Sequence, residues 1–340
     1  MGATALSEFD LIKRYFDRPE RTGVAAASGQ NDGIVLGIGD DCALLRPANG
    51  MEMAISTDML VEDRHFFAGA DPWALGHKAL AVNLSDLAAM GATPVAFTLA
   101  LAMPAVDTDW LVAFSTGLFA LADLHACALI GGDTTKGPLT ICITVFGHVP
   151  AGAALRRNRA MPGDDIWVSG TLGDARLALA VLRNEMVGGQ PVALTQTQLN
   201  QALQRLHRPT PRVALGKALR GIARAAIDVS DGLGGDLAHI LERSGCGAAI
   251  DADSLPFGPA LQTQSTALQR AWAMAGGDDY ELCFTAPVLK RATVLAAGVA
   301  AEVCLTRIGT VVAGDSLQVY DAQGIALAMP TASFDHFRTP

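Results

Sequence analysis

Residues 79–94 read ALAVNLSDLAAMGATP. This stretch contains the predicted end of a helix and leads into a predicted strand. Leu80, Leu84 and Leu87 recur at helical spacing, which predicts a helix over residues 73–90 with one apolar face. Gly91 follows as a C-terminal stop, and the apolar run at 95–103 predicts a strand. Asp86 lies inside this otherwise apolar helix, where packing alone would favour alanine or leucine. We therefore expect a functional role for Asp86.

Strands and helices alternate on both sides of this stretch. In the first half the pattern predicts helices at 7–16 and 108–127 and strands at 52–57, 128–130 and 139–147. In the second half it predicts helices at 174–184, 197–206, 212–223 and 232–243, and strands at 166–169, 247–251, 281–285 and one that ends at Asp228. Residues 186–197 are polar and linker-like.

Interleaved strands and helices predict an α/β fold in which sheets and helices form layers. The chain has 340 residues, which is too long for one ordinary core. We therefore expect two domains, residues 1–150 and residues 151–340.

The composition excludes several classes of protein. Half of the residues are hydrophobic and 17% are charged, which favours a large dry core over disorder. The net charge is −9 and no basic run offsets it, so nucleic acid and anionic membranes are not expected partners. The cysteines are scattered without a CxxC pair, no signal peptide is visible and no run of 18 apolar residues occurs, so we expect a cytoplasmic protein.

Aspartates recur in short motifs with glycine, serine and threonine, mostly after an apolar strand. A single such aspartate could cap a helix or form a turn. Several of them at strand ends could instead converge, because open α/β sheets bind ligands there. Converging carboxylates repel one another unless cations neutralise them, and oxygen ligands suit magnesium. The residues concerned are Asp40, Asp41, Asp58, Asp86, Asp133, Asp228, Asp231, Asp278 and Asp279.

Further features of the sequence bear on phosphate and substrate binding. Residues 131–136, GGDTTK, offer the glycines, hydroxyls and cation of a phosphate-binding nest. The chain has no GxxxxGKS/T P-loop, no kinase HRD or DFG set and no GxSxG elbow. His65, in a polar loop shortly after Asp58, is a candidate substrate contact.

Six motifs together resemble the thiamine-monophosphate kinase family, which shares its fold with aminoimidazole ribonucleotide synthetase. They are GIGDDCALL (37–45), ISTDMLVEDRHF (55–66), ALAVNLSDLAAMGATP (79–94), IGGDTTKGPL (130–139), AIDVSDGL (226–233) and GGDDYELCFT (276–285). With SFDHF (333–337) the resemblance extends over almost the whole chain. It implies a two-domain fold similar to that synthetase, with a homodimer formed through a sheet or barrel of the N-terminal domains.

The resemblance also implies a reaction and its residues. ATP would phosphorylate thiamine monophosphate to thiamine diphosphate, with several Mg²⁺ ions as cofactor. Substrate contacts fall on His65, Asp278 and Phe334, and ATP contacts on Gly132, Asp133, Arg157 and Ser230. The metal ligands fall on Asp41, Ser56, Thr57, Asp58, Asp86, Asp133, Asp228 and Asp231. The family has glutamate where this chain has Asp278, so a bridging water could complete that contact.

No catalytic general base is assigned, because a phosphate acceptor is already a nucleophile at neutral pH. We therefore expect direct in-line transfer of the phosphoryl group. Two alternatives stay open: another ATP-using synthetase of the same superfamily, and a non-catalytic sensor of metal and nucleotide. A selenophosphate synthetase would need a reactive cysteine or selenocysteine before Cys42, and a hydrogenase maturation factor of this fold would need a C-terminal cysteine. This chain has neither.

Overall fold

The structure, a computed structural model, describes residues 8–18, 33–39 and 41–328. Its contacts define two compact units, Met1–Leu87 with Ala92–Gly152, and Ala88–Gly91 with Ala153–Pro340. The predicted α/β class with layered sheets and helices is confirmed. Asp40 and Phe334 lie outside the described residues. Within those residues, none of the helices combines the length and the apolar character that crossing a membrane requires.

The first unit is built on a mixed four-stranded sheet. Its strands are β3 (Met51–Val61), β4 (Thr93–Met103), β5 (Ala128–Lys136) and β6 (Thr140–Pro150), in the spatial order β3-β6-β4-β5. Only β4 and β5 pair in parallel. The accompanying elements are α1 (Glu8–Leu11), which continues as a π-helical turn (Ile12–Phe16), the hairpin of β1 (Ile34–Leu36) and β2 (Leu44–Leu45), α2 (Pro72–Ala89) and α3 (Thr108–Leu124).

The two faces of this sheet have different surroundings. Because side chains alternate along a strand, Ser56 and Asp58 lie on one face of β3, and Ile55, Thr57 and Met59 lie on the other. We call the first the helix face, because Ser56 contacts α2 there. We call the second the open face, where Ile55 is 61% and Met59 54% exposed. The β1–β2 hairpin packs on one end of the open face, around Ala96 and Phe146.

Helices α2 and α3 approach each other closely through two glycines. A β-carbon at Gly76 would overlap the carbonyl oxygen of Phe114, and one at Gly117 would overlap the carbonyl oxygen of Trp73. Only glycine permits such backbone contact. The close approach keeps α2 fixed beside the sheet.

The second unit contains a seven-stranded sheet with the strand order β10-β12-β7-β13-β11-β14-β15. Its strands are β7 (Asp164–Ser169), β10 (Ala225–Val229), β11 (Gly247–Asp251), β12 (Glu281–Pro287), β13 (Leu305–Val312), β14 (Leu317–Tyr320) and β15 (Ala326–Leu327). Only β11 and β14 pair in parallel. The helices are α4 (Asp174–Leu182), α5 (Gln196–His207), α6 (Val213–Ala218), α7 (Leu233–Ser244), α8 (Thr266–Ala275) and α9 (Arg291–Ala300). Leu237 and Ile240 of α7 pack into the core with β7 and β10.

Several predicted boundaries were wrong in a way that matters for the site. The strands predicted at 52–57 and 128–130 extend to residues 61 and 136, so Asp58 and Asp133 lie within strands and not beyond them. Residues 131–136 pair with β4 as a strand and do not form a loop-like nest. Most strand pairs are antiparallel, so the rule for the carboxyl ends of parallel strands does not apply here. The linker-like stretch contains a small hairpin, β8 (Met186–Val187) and β9 (Gln190–Pro191).

Candidate active site

Strand β3 and helix α2 bring the polar residues of two sequence motifs together. The Ser56 hydroxyl donates a hydrogen bond to a carboxylate oxygen of Asp86. The backbone N–H of Asp58 donates to Asn83 Oδ1 at 3.1 Å. Residues two apart on a strand and three apart on a helix each share a face. The two contacts therefore join one face of each element.

Asn83 is a buried polar residue of the otherwise apolar helix α2, and its hydrogen bonds account for its presence there. Its side chain is 1% exposed, and its amide donates to the carbonyl of Ala79 at 3.0 Å. Its oxygen binds the edge strand β3, so both ends of the amide have partners. Asp86 is partly exposed beside it. The predicted functional position of Asp86 thus has a polar partner from a second motif.

Asp133 lies on the other side of the sheet. It is exposed and pairs in register with Ala100, which pairs in turn with Cys142 and, through it, with Met59. This row belongs to the open face. Thr57 is on the same face and its hydroxyl lies 2.8 Å from that of Thr144. The ligands predicted in the first unit are therefore divided between two faces of one sheet.

Two further predicted residues lie at the ends of strands in this unit. Asp41 is exposed between β1 and β2. His65 follows β3, and its Nδ1 accepts a hydrogen bond from the Val61 backbone N–H at 3.0 Å. Because Nδ1 acts as an acceptor, a neutral His65 ring carries its proton on Nε2. That atom can donate to a substrate oxygen.

In the second unit, the loop between β10 and α7 is fixed by an aspartate that sequence reasoning missed. The backbone N–H groups of Ser230, Asp231 and Gly232 all donate to Asp236 Oδ2, at 3.0, 3.1 and 3.2 Å. Burial, and next the charge of Asp231, raise the pKa of Asp236 to about 7. Strand β10 ends at Val229, one residue beyond the predicted end, and Ser230 begins this loop.

A second loop, residues 276–280, lies against the first one. The N–H of Asp278 donates to the carbonyl of Ser230, and the N–H of Tyr280 to that of Val229, both at 2.8 Å. Asp278 and Tyr280 have φ angles of 67° and 50°, which are unfavourable for residues with a β-carbon. The candidate substrate residue Asp278 and the candidate ligand and ATP residues at 228–231 thus share one backbone network.

The predicted ATP residue Arg157 is exposed. Its backbone carbonyl accepts a hydrogen bond from Ser244 Oγ at 2.9 Å, and the same hydroxyl accepts from the Ala160 N–H at 3.1 Å. Helix α7 therefore holds the loop that carries Arg157, and leaves its guanidinium at the surface.

Within the described residues, no three His, Cys, Asp or Glu side chains come close enough to hold a metal ion. The eight predicted ligands include two hydroxyl residues, and they belong to two different units. The oxygen-only set still matches the ligand preference of magnesium. It remains a prediction that all eight act together.

Comparison with known proteins identifies the family. Residues 39–149 match the family described as AIR synthase related protein, N-terminal domain, and residues 161–322 match the corresponding C-terminal domain. The chain is 48% identical to the thiamine-monophosphate kinase of Salmonella typhimurium over 337 residues, which cover 99% of this chain and 100% of the relative. The chain belongs to the thiamine-monophosphate kinase family. It is accordingly an enzyme of the kinase class.

Solved structures agree with membership of this family. A thiamine-monophosphate kinase from Stenotrophomonas maltophilia K279a has a TM-score of 0.82 at 47% identity, covering 95% of this chain and 99% of that one. AaThiL complexed with AMPPCP and TMP has a TM-score of 0.72 at 27% identity, covering 98% and 97%. The hydrogenase maturation protein HypE of Escherichia coli has a TM-score of 0.74 at 22% identity, which shows a shared fold only.

Proposed function

We propose that this kinase transfers the γ-phosphoryl group of ATP to the phosphate of thiamine monophosphate, giving thiamine diphosphate and ADP. The observation that carries the proposal is the 48% identity to a thiamine-monophosphate kinase along 99% of the chain. The AaThiL relative, described with AMPPCP and TMP, supports the same pair of substrates. No observation favours the sensor or another synthetase of the superfamily.

The binding residues are proposed from the family pattern. ATP would contact Gly132, Asp133, Arg157 and Ser230, and thiamine monophosphate would contact His65, Asp278 and Phe334. Arg157 offers a planar fork of N–H donors that matches a phosphate group. His65 Nε2 and the loop of Asp278 supply polar contacts for the acceptor.

Magnesium is the proposed cofactor, because its preferred ligands are the oxygens that these motifs provide. Asp41, Ser56, Thr57, Asp58, Asp86, Asp133, Asp228 and Asp231 would hold the ions. Ser56 already contacts Asp86, so two of these ligands lie side by side. Bound magnesium would neutralise the charges of both phosphate groups and of the transition state.

The residues favour a single in-line displacement. The acceptor is a phosphate oxygen whose second pKa is about 6, so it attacks without a general base. The bond to the γ-phosphorus forms as the bond to the leaving oxygen of ADP breaks. One such step inverts the configuration at phosphorus, and retention with a chiral γ-phosphate would contradict direct transfer.

The decisive experiment measures ADP formation by the purified chain with thiamine monophosphate, with aminoimidazole ribonucleotide precursors, and without an acceptor. We expect ADP only with thiamine monophosphate, and none after EDTA removes magnesium. Binding of ATP without turnover would instead indicate a sensor, and turnover with another acceptor would indicate a different synthetase.

Asp58→Asn tests the assignment of the metal ligands. The amide keeps the size of the side chain and removes its charge, so we expect an intact fold and a rate lowered about a thousand-fold, roughly 4 kcal/mol of barrier. Asp133→Asn should behave similarly. Asp123→Asn, an exposed aspartate of α3 that pairs with Arg18 at 3.0 Å, is the matched control. Near-normal rates in both ligand variants would refute the assignment.

We also infer a cytoplasmic homodimer in which residues 1–150 bind ATP and magnesium and pair the subunits, while residues 151–340 form the second α/β domain. The exposed apolar side chains of the open face support this surface for pairing, since apolar patches of this kind mark interfaces. The free thiols of the described chain suit the cytoplasm.

A further inference from the structure

Glu281 lies at the start of β12 and is fully buried, with a side chain 1% exposed. Four hydrogen bonds hold its carboxylate. Arg212 donates from Nε at 2.6 Å and from a terminal nitrogen at 2.5 Å, Arg205 donates at 2.9 Å, and the Ser169 hydroxyl donates at 2.6 Å. We call these four residues the Glu281 clamp. A buried carboxylate with this many charged donors is rigid, because losing any donor leaves charge uncompensated.

The clamp is connected directly to the loop of Asp278. The Arg205 nitrogen that binds Glu281 also donates to the backbone carbonyl of Asp279 at 2.8 Å. The Asp279 carboxylate accepts the Gly173 N–H, at 2.9 and 3.0 Å. Asp279 lies between Asp278 and Tyr280, the two residues with positive φ. It is held through its backbone carbonyl by Arg205 and through its side chain by Gly173.

Left-handed residues with a β-carbon persist only where their surroundings fix them. Here the N–H groups of Asp278 and Tyr280 are bonded to Ser230 and Val229, and Arg205 holds the carbonyl between them. The same contacts orient the backbone of the loop at 228–231. A change at Glu281 would therefore reach both the candidate acceptor residue and the candidate metal and ATP residues.

The surroundings of Glu281 also leave little freedom. A β-carbon at position 170 would overlap the Glu281 carboxylate. Glycine is therefore required at this position. Burial alone would lower the pKa of Arg212, but the hydrogen bonds and charge of Glu281 outweigh that effect and raise it. The Arg212 guanidinium therefore stays charged beside the carboxylate that it binds.

We propose that Glu281, acting through Arg205, is a positioning residue for phosphoryl transfer, which holds Asp278 in the geometry that binds the acceptor substrate. The inference rests on the proposed function. Glu281 does not itself contact the substrate; it acts through Arg205 on the Asp279 peptide, whose displacement would move the Asp278 side chain.

The test is Glu281→Gln, with Asp165→Asn as the matched control. Asp165 is also fully buried in the same sheet and is bound by two arginines, Arg291 and Arg307. Those arginines come from α9 and β13 and not from the elements beside the Asp278 loop. Both variants remove one carboxylate charge from a two-arginine site. The arginines are 19% and 18% exposed at Glu281 and 47% and 42% at Asp165, so KM is compared at a temperature where both variants are folded.

We expect Glu281→Gln to raise KM for thiamine monophosphate at least about ten-fold, while Asp165→Asn leaves it within about two-fold of the parent value. Equal KM values in Glu281→Gln and the parent would overturn the proposal. A similar rise in Asp165→Asn would also overturn it, because the effect would then reflect general loss of stability.

Two measurements keep the test decisive. If Glu281→Gln does not fold, Arg205→Met replaces it, since methionine keeps the length of the aliphatic stem but donates to neither Glu281 nor the Asp279 carbonyl; its KM must rise likewise. If the parent chain makes no ADP, the proposed function fails. Amide exchange at Asp278 and Tyr280 then decides the positioning role: faster exchange in Glu281→Gln than in Asp165→Asn supports it, and equal exchange refutes it.

Discussion

Several buried carboxylates accept hydrogen bonds from arginines or backbone N–H groups, and Asp165 is one case. It is fully buried on β7, and Arg291 donates to both of its oxygens, at 2.6 and 2.7 Å. The hydrogen bonds of Arg291, opposed by burial and reinforced by Arg307, hold the pKa of Asp165 below its usual value. Such a carboxylate stabilises the fold only while it is ionised.

Asp165→Asn should therefore lower stability in a pH-dependent way. An unfolded aspartate has a pKa of about 3.9 and the folded one lies lower, so the ionised form stabilises the parent above pH 4. This contribution is lost as the pH falls through the folded pKa. We expect Asp165→Asn to lower the free energy of unfolding by about 1–3 kcal/mol at pH 7. The value should lie towards the lower end of this range, because both arginines are partly exposed.

Urea unfolding of parent and variant at several pH values checks this. The difference between the two free energies of unfolding should be constant from pH 5 to 7 and should shrink as the pH is lowered towards 3. A difference that grows on acidification would contradict the role given to the ionised Asp165.

At the scale of elements, the contact between α2 and α3 determines where Asn83 and Asp86 lie. Gly117 lies in the middle of α3, where alanine would favour the helix by about 1 kcal/mol. The added β-carbon would overlap the Trp73 carbonyl oxygen, and forcing apart a packed contact costs about 1–3 kcal/mol. The free-energy cost of the overlap should therefore exceed the gain in helix propensity.

We therefore expect Gly117→Ala to lower the melting temperature and, by shifting α2, to weaken magnesium-dependent activity. Gly137→Ala is the control, because a β-carbon there would meet only Ala102 at 3.5 Å, which is ordinary contact. Thermal unfolding and the magnesium concentration for half-maximal rate give the readouts. A Gly117→Ala chain as stable as the control would mean that the two helices can separate without cost.

Much of this element structure could be predicted from local patterns. The leucines of α2 gave its bounds to within a residue, 73–90 against 72–89. The strands were predicted too short where polar or glycine residues occupy them, as at Asp58 and at 131–136. Those residues are in strands because neighbouring strands pair with them, and a single sequence does not display pairing. Helices α8 and α9 and strands β13 and β14 were not predicted, although Leu268, Ala271, Trp272 and Ala275 of α8 do recur at helical spacing.

The candidate site was predictable only in part. Asp86 could be predicted as a site residue, because packing within an apolar helix does not account for an aspartate. The contacts of Glu281 with Arg205 and Arg212 join residues 76 and 69 positions apart, so no local pattern reveals them. Asp236 looked like an ordinary first-turn residue of a helix. Its three backbone partners follow from the shape of the preceding loop.

At the scale of the whole molecule, the open face of the first unit is the proposed subunit contact. Met59 lies on the open face of the edge strand β3 and is 54% exposed. A buried, unpaired charge is unfavourable at an interface, so Met59→Asp should convert the dimer to monomers. Light scattering coupled to size exclusion measures the mass.

Leu124→Asp is the control for this prediction. Leu124 ends α3 and is 75% exposed, so it is an equally apolar surface residue outside the open face. That variant should remain dimeric. If both variants keep the mass of the parent, the pairing surface lies elsewhere.

The alternation of β3 has a consequence for how this sequence can change over evolution. Ser56 and Asp58 project towards α2, while Ile55, Thr57 and Met59 project to the opposite side. Inserting or deleting one residue in the strand would exchange the two sets, because the side-chain period is two. Aspartate would then enter the apolar surface and methionine would meet Asp86. The strand can therefore accept substitutions, but not the insertion or deletion of an odd number of residues. Its length is constrained in evolution separately from the identity of its residues.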